Sequence, residues 1–502
     1  MVTDTSITKH MKRLPILLTI ILILTSCLDE SIFGTKTSKY EIHYTTSDGQ
    51  PVYIHYKLMS GFGHVVVSNT YENGLGIIKF KEGVESISDN AFANSNLVSI
   101  SIPECITSIG DQTFMGCSKL VSVELSESVT EIGTEAFSRC TSLRDIVVPS
   151  GVSVIKKETY SHCTALTSIS IPEGITAIKA GAFEDCTGVT SVTLPESLTT
   201  IEEAPFSGCD NLAEFYGKYA SKDGKYLCDG DTLLATAPAG LTELTIPEGI
   251  AAIGEYAVGG CKQLLSITIP EGVTTIGKGA FSKCEELTEI SIPTSVAYIG
   301  AEAFQLCYKL TDVTIPEGIT TIEPKTFFNC NSLKSVSLPD TITTISDNAF
   351  SVCPSLTDIT IPDSVTAIGQ GAFGGCKWLK EIAIPEGVTA LYDYTFSSCE
   401  RLSALSLPST LTSIGSRTFS ACRVLKEVTI PQSVSTIGDS AFAHCKWLEA
   451  VYCMPTTPPT ISDNTFSECA AELTIYVPKG CGQSYKSAEG WSSHREAIVE
   501  KE

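Results

Sequence analysis

Apolar residues recur along most of this chain in two interleaved rhythms. In LKEIAIP, from Leu379 to Pro385, the run Ile382, Ala383, Ile384 has the alternation of a strand with one buried face, and Pro385 ends it because it has no N–H to donate. Just upstream, Phe373, Cys376 and Leu379 follow the i, i+3, i+6 spacing of a short helical or 3₁₀ turn. Gly249, Gly272 and Gly387 each stand two residues after a strand-ending proline, where a positive φ is expected to turn the chain away from the sheet. One strand, one turn and one short helical segment then make one coil.

That coil repeats. Cysteines fall at Cys117, Cys140, Cys163, Cys186 and Cys209, and again from Cys261 to Cys445, always 23 residues apart within each run. A phenylalanine stands three residues before nearly all of them, with Tyr160 and Val258 as substitutes, and a leucine three after, with Val189 as substitute. About sixteen copies run from Phe92 to Phe466. A lone coil cannot bury enough apolar surface to offset its ordering entropy, so the coils are expected to stack into a solenoid with a parallel strand face.

The periodicity also assigns the cysteines. A residue in step with Phe, Leu and Ile is a core position, where Cys behaves as a small hydrophobe. Clustered metal-ligand spacings such as C-x₂-C are absent. Neighbouring cysteines one coil apart, at about 4.8 Å, are close enough for a bridge, but their parallel Cβ directions suit one poorly.

The unit IPEGVTTIGKGAFSKCEELTEISIP, Ile269 to Pro293, resembles the BspA-like, or Treponema pallidum type, leucine-rich repeat, and the resemblance covers about Asn90 to Cys469. SNTYENGLGIIKF (Ser68 to Phe80) and LTIYVPKGCGQSYKSAEGW (Leu473 to Trp491) resemble flanking segments of Bacteroidetes members. The resemblance implies a leucine-rich-repeat solenoid working in adhesion to host extracellular-matrix proteins or to other cells. Capture of glycans or peptides for an outer-membrane uptake system is the alternative.

The N-terminus adds an address. Lys12 and Arg13 precede LPILLTIILILTS, an apolar run too short to span a bilayer and suited to a signal peptide, with Met1 or Met11 as the start. LTSC, Leu24 to Cys27, resembles a bacterial lipobox, which makes Cys27 the lipid-attachment residue. Asp29 and Glu30 resemble the acidic tag of surface-displayed outer-membrane lipoproteins, although a periplasm-facing lipoprotein fits the same residues. The expected organisation is a signal peptide (1–26), a lipidated cysteine and tether (27–38), an N-terminal β cap (39–80), repeat arrays at 81–216 and 241–469, a hairpin insertion (217–240) and a C-terminal cap (470–502).

The insertion falls where Cys209 and Cys261 are 52 residues apart; it alternates apolar and polar residues around Asp229-Gly230 and is expected to bulge from the solenoid. Its Asp223, Asp229 and Asp231 lack the spacing of a calcium loop and read as turn chemistry. A second hairpin is expected around Ser47-Asp48-Gly49, with His43 and His55 able to meet across it but no third metal ligand evident.

Candidate chemistry is sparse. No G-x-S-x-G, P-loop, H-E-x-x-H or dinucleotide motif occurs, so no enzymatic activity and no cofactor are expected. His162 and His444 precede core cysteines, which superficially suggests a thiol and its base, but they occupy a slot that elsewhere holds Gly116, Arg139 or Asn329 and is expected to be a tolerant, solvent-facing position. A net charge of −23, from 57 acidic against 34 basic residues, argues against nucleic acid. What remains is the strand face, where one exposed column carries Glu289, Asp312, Asp358, Glu381 and Glu427 and its neighbour is mostly Ser and Thr. It is a candidate for protein binding or a merely solvated face, since aromatic anchors are missing from both columns. Trp378 and Trp447, two residues after Cys376 and Cys445, are the exposed aromatic candidates.

Overall fold

The computed structural model describes residues 39–54 and 65–501, and it is a right-through stack of short coils joined by parallel pairing. Most coils carry two strands rather than one. The first has the expected alternation: in Glu381–Ala383 the central Ile382 is buried and its neighbours are exposed. The second, such as Thr275–Ile276 or Ser413–Ile414, is two residues long and pairs coil to coil in its own ladder. The sequence hides it because two residues are too few to display a period of two.

The first-strand ladder is interrupted. Asp312–Thr314 pairs with Ser335–Ser337, and Glu381–Ala383 with Ala404–Ser406, but between such pairs the lateral bonding thins, as at Thr357 N–H to the Lys334 carbonyl and Thr311 N–H to the Thr288 carbonyl. Three-residue strands offer few lateral bonds, so a slight change in angle between coils loses most of them.

The segment expected to be a helical turn is not helical. In the coil of Cys330, the amides of Thr326, Phe328 and Cys330 bond back three residues, to Glu323, Lys325 and Phe327. The amides of Lys325, Phe327 and Asn329 instead donate to the next coil, at Asp347, Ala349 and Ser351, over 2.8–3.0 Å. Alternate amides can point along the stack only because Lys325 and Asn329 are left-handed, with φ of 57° and 62°. The turn is therefore a third lateral ladder, and it satisfies the backbone groups that a bare loop would leave orphaned.

Inside, the phenylalanines form a column. Rings from Phe92 to Phe206, and again from Phe281 to Phe466, lie 5.2–5.7 Å apart with planes within 17° of parallel. The repeat cysteines beside them are buried free thiols, none of them bridged. Gly249 and Gly272 have the expected positive φ, but Gly387 does not; a Cβ there would meet the Val365 carbonyl oxygen at 2.8 Å, so close approach between coils is its reason.

Both ends are covered. Glu41–Thr46 lies antiparallel between Leu75–Phe80 and Leu97–Ile102, so the hairpin expected around Asp48 is replaced by one between Val66–Glu72 and Leu75–Phe80, turning at Asn73-Gly74. Residues 51–54 form no strand, and His55 lies outside the described residues. At the other end Trp491 packs beneath Phe466 and donates its indole N–H to the Pro459 carbonyl at 2.7 Å, while the Tyr485 hydroxyl donates to Pro455.

The insertion does not bulge. Tyr226–Asp229 and Thr232–Thr236 pair antiparallel, and Thr232–Thr236 then pairs in parallel with Ala252–Ile253, taking a place in the second-strand ladder. Leu227 and Leu233 bury themselves in doing so. The apolar interior is divided here into two clusters, one ending at Ala237 and the other beginning at Leu233.

Candidate functional site

The outward column of the first strands is where the sequence places it: Glu289, Asp312, Asp358, Glu381 and Glu427 are all exposed, and their buried neighbours fix that orientation. They are not equivalent. Asp312 accepts the Ser335 hydroxyl at 2.6 Å, and this bond, with one from Thr311, holds its carboxyl below the usual range. Asp358 and Glu381 border two shallow hollows of about 310 and 320 Å³. The second hollow exists because Ala383 and Ala404 stand where other coils carry Ser, Thr or acids. Glu289 and Glu427 line neither.

Trp378 and Trp447 sit on the corner between turn and strand, 49% and 56% exposed. The Arg401 guanidinium lies 4.5 Å over the Trp378 ring and the Lys426 ammonium 5.8 Å over that of Trp447. Neither indole reaches the acidic column's hollows.

The two histidines beside core cysteines do not meet their thiols. His162 Nε2 lies 3.3 Å from Asp185 and His444 Nδ1 2.9 Å from Glu468, both on the next coil, while the Cys163 and Cys445 thiols donate inward to Phe137 and Phe419 carbonyls. Their slot is tolerant of side chain but not of conformation: every residue before a repeat cysteine, from Gly116 to Glu468, has φ between 54° and 82°. Asp223 caps its own turn, accepting from Ser221 and the Lys225 amide. Among the described residues no group of three His, Cys, Asp or Glu side chains could hold a metal ion. Cys27, Asp29 and Glu30 lie outside the described residues.

One site was missed by reading the sequence. All three lateral ladders stop between the coils of Cys209 and Cys261: Glu214–Gly217 does not pair with Glu243–Thr245, Thr200–Ile201 does not pair with Thr232–Thr236, and no backbone hydrogen bond joins 203–209 to 255–261. Phe206 tilts onto Phe215, since Val258 offers no ring to stack on. The turn side of this seam opens into a cavity of about 390 Å³ lined by Glu184, Glu203, Tyr256, Lys278 and Glu302 among others. Burial and the nearby Asp185 and Glu158 raise the Glu184 carboxyl, and a carboxyl–carboxyl contact with Glu203, then burial, raises Glu255. Burial, then a 2.9 Å hydrogen bond to Glu302, pushes the Tyr256 hydroxyl up. The 52-residue spacing located the seam but not that its three ladders are interrupted there.

A family model described as the BspA type leucine rich repeat region, in six copies, matches residues 85–213, 237–357 and 343–472. The chain belongs to the BspA-type leucine-rich-repeat family. The matched regions stop at 213 and resume at 237, flanking the insertion, so the strand face, the turn ladder and the thiol column are parts of BspA-type repeats, and the seam lies where that pattern lapses. No curated protein matches the chain. Among solved structures it is similar to a leucine-rich repeat protein from Bacteroides ovatus (22% identity, 87% of this chain and 98% of that one, TM-score 0.42). It is also similar to a leucine rich cell surface protein from Faecalibacterium prausnitzii (26% identity, 68% and 86%, TM-score 0.40). A Treponema pallidum leucine-rich repeat protein shares 25% identity over 41% of this chain and 86% of its own, with a TM-score of 0.29.

Proposed function

We propose that this BspA-type protein is a lipid-anchored surface adhesin that engages a host matrix or cell-surface protein through its strand face. The observation that carries the reading is the exposed acidic column beside the hollows at Asp358 and Glu381. Among the described residues its carboxylates form no ion pair, and they recur along a face able to bind an extended partner at many weak points. Such a partner carries a basic stretch, and its binding weakens as salt rises, because exposed charges are screened beyond about 8–10 Å.

The test is charge reversal of Asp312, Asp358 and Glu381 together, read in a pull-down against matrix proteins. Weaker binding with an unchanged circular dichroism spectrum supports the strand face; unchanged affinity excludes it. Anchoring at Cys27 is tested separately by Cys27→Ala, which should release the chain from membranes. Protease on intact cells should digest the wild type if Asp29 and Glu30 direct it outward, and complete protection until lysis would place it in the periplasm.

A further inference from the structure

The corner that bears the two indoles has a charge opposite to that of the molecule. After their cysteines, four successive coils read KWLK, ERLS, RVLK and KWLE, from Lys377 to Glu449, which puts six cations against two acids in a chain of net charge −23. Glu400 pairs with Lys377 at 3.4 Å and with Arg423 at 3.8 Å. Lys380, Arg401, Lys426 and Lys446 are exposed and form no ion pair among the described residues, not even with Glu381 and Glu427, the residues that follow Lys380 and Lys426.

The indoles frame these cations. Trp378 and Trp447 are three coils apart, each step being 5.2–5.6 Å as the phenylalanine column measures it. Arg401, over Trp378, comes from the coil on the Trp447 side; Lys426, over Trp447, comes from the coil on the Trp378 side. Cations free of ion pairs therefore lie between two aromatic plates.

We infer that this corner binds an acidic polysaccharide. Indoles that anchor a protein partner lie in well-packed, fully desolvated pockets, whereas these two stand about half exposed on an open corner among Lys, Arg and Ser. A ligand that suits them has an apolar face and hydroxylated edges, as a pyranose ring does. Its anionic groups would be taken by the free cations, with the Arg401 fork suited to a carboxylate or sulfate in two-point contact. Double-stranded nucleic acid, with one charge per ~1.7 Å, meets the repulsion of the whole molecule, while a chain charged only at intervals places its anions on this strip. The inference is independent of the strand face and gives the glycan-capture alternative a definite place and chemistry.

The experiment measures binding of the whole chain to a uronic-acid polysaccharide without sulfate, a sulfated one, a neutral glucan and poly-glutamate. Arg401→Ala with Lys426→Ala, and separately Trp378→Ala with Trp447→Ala, change only exposed side chains. Either double variant should weaken binding to an acidic polysaccharide at least about tenfold, and the neutral glucan should not bind. Whichever acidic polymer binds more tightly tells carboxylate from sulfate recognition. The strand-face triple variant should not weaken this binding, since it removes carboxylates that would repel the polymer. Binding of neither acidic polymer, or binding indifferent to both double variants, overturns the inference. So does poly-glutamate binding as tightly and without regard to the tryptophans, which would mark an acidic protein as the ligand.

Discussion

The thiol of Cys330 donates to the carbonyl oxygen of Phe304 in the preceding coil, at 3.1 Å. The relationship recurs from Cys117 to Phe92 through Cys445 to Phe419, so the cysteine column is a line of weak donors as well as a line of small apolar residues. The Phe304 carbonyl already receives the amide of its own coil's Cys307 at 3.2 Å, and the Cys330 thiol takes its second lone pair.

This alters what substitution at the column should do. A serine hydroxyl buried with no acceptor costs about 1–3 kcal/mol, but at Cys330 an acceptor is in place. Cys330→Ser and Cys330→Ala should therefore fall within about 1 kcal/mol of each other in urea denaturation. A deficit of more than 2 kcal/mol for Ser relative to Ala would show that the Phe304 carbonyl does not serve. Burial pushes the Cys307 thiol up to about 12 and raises Cys330 as well, so neither should react with thiol reagents near neutral pH until the fold opens.

Val352 is a β-branched residue held at φ 58° and 41% exposed, in the slot before Cys353. Left-handed backbone costs an L-residue about 1–2 kcal/mol, and β-branching adds crowding, whereas Asn and Gly accept it readily. Asn329, Gly260 and Gly375 hold the equivalent place with φ of 62°, 82° and 79°. Val352→Asn and Val352→Gly should each raise stability by roughly 0.5–1.5 kcal/mol. Thermal melts showing neither gain would mean that Val352 packs to compensate.

The contrast with the cysteines shows what the chain reveals to a reader. Core residues such as Phe327 and Leu333 are legible because burial is set by hydrophobic identity, and identity is what a repeat displays. The left-handed slots are not, because conformation is shared by Arg139, His162, Asp185 and Val352, side chains with nothing else in common. The acidic column was legible for the same reason as the core, since alternation places Asp312 and Glu381 opposite Val313 and Ile382. The hollow beside Asp358 was not, because it lies where the first strands give way to an isolated bridge, while the one beside Glu381 follows from Ala383 and Ala404, whose small side chains the sequence shows but whose effect needs the packing of neighbouring coils.

Trp491 closes the apolar end of the phenylalanine column, fully buried against Phe466 and Tyr485. Trp491→Ala should cost about 3–5 kcal/mol. Because contacts in a solenoid are between neighbours, the loss should appear first as faster amide exchange in 442–501 and leave the first array protected. Uniform loss of protection would instead mean that the whole stack unfolds as one unit.

The seam between the coils of Cys209 and Cys261 should be the weakest joint in the molecule. What crosses it includes the Asp210–Lys262 ion pair at 2.6 Å and the Ala239 amide bonded to the Leu212 carbonyl at 3.0 Å, in place of three ladders. Glu184 and Glu255 have folded-state pKa values raised above the ordinary carboxyl value, Glu255 chiefly by Glu203 and partly relieved by Lys278. A raised carboxyl pKa favours the folded form fully only below its unfolded value, about 4.3, and that contribution is lost as pH rises through the raised folded value. The seam should therefore loosen between mildly acid and neutral pH, seen as amide protection in 203–209 and 255–261 that falls, after correction for intrinsic rates, from pH 5 to pH 7. Glu255→Gln removes one of the repelling charges and should flatten that dependence while raising stability at pH 7 by less than ~1 kcal/mol, since the group is largely exposed. It should also preserve a two-step denaturation in which one array melts before the other. A single transition at every pH, with the seam as protected as its neighbours, would mean that the insertion's strand restores what the broken ladders lose.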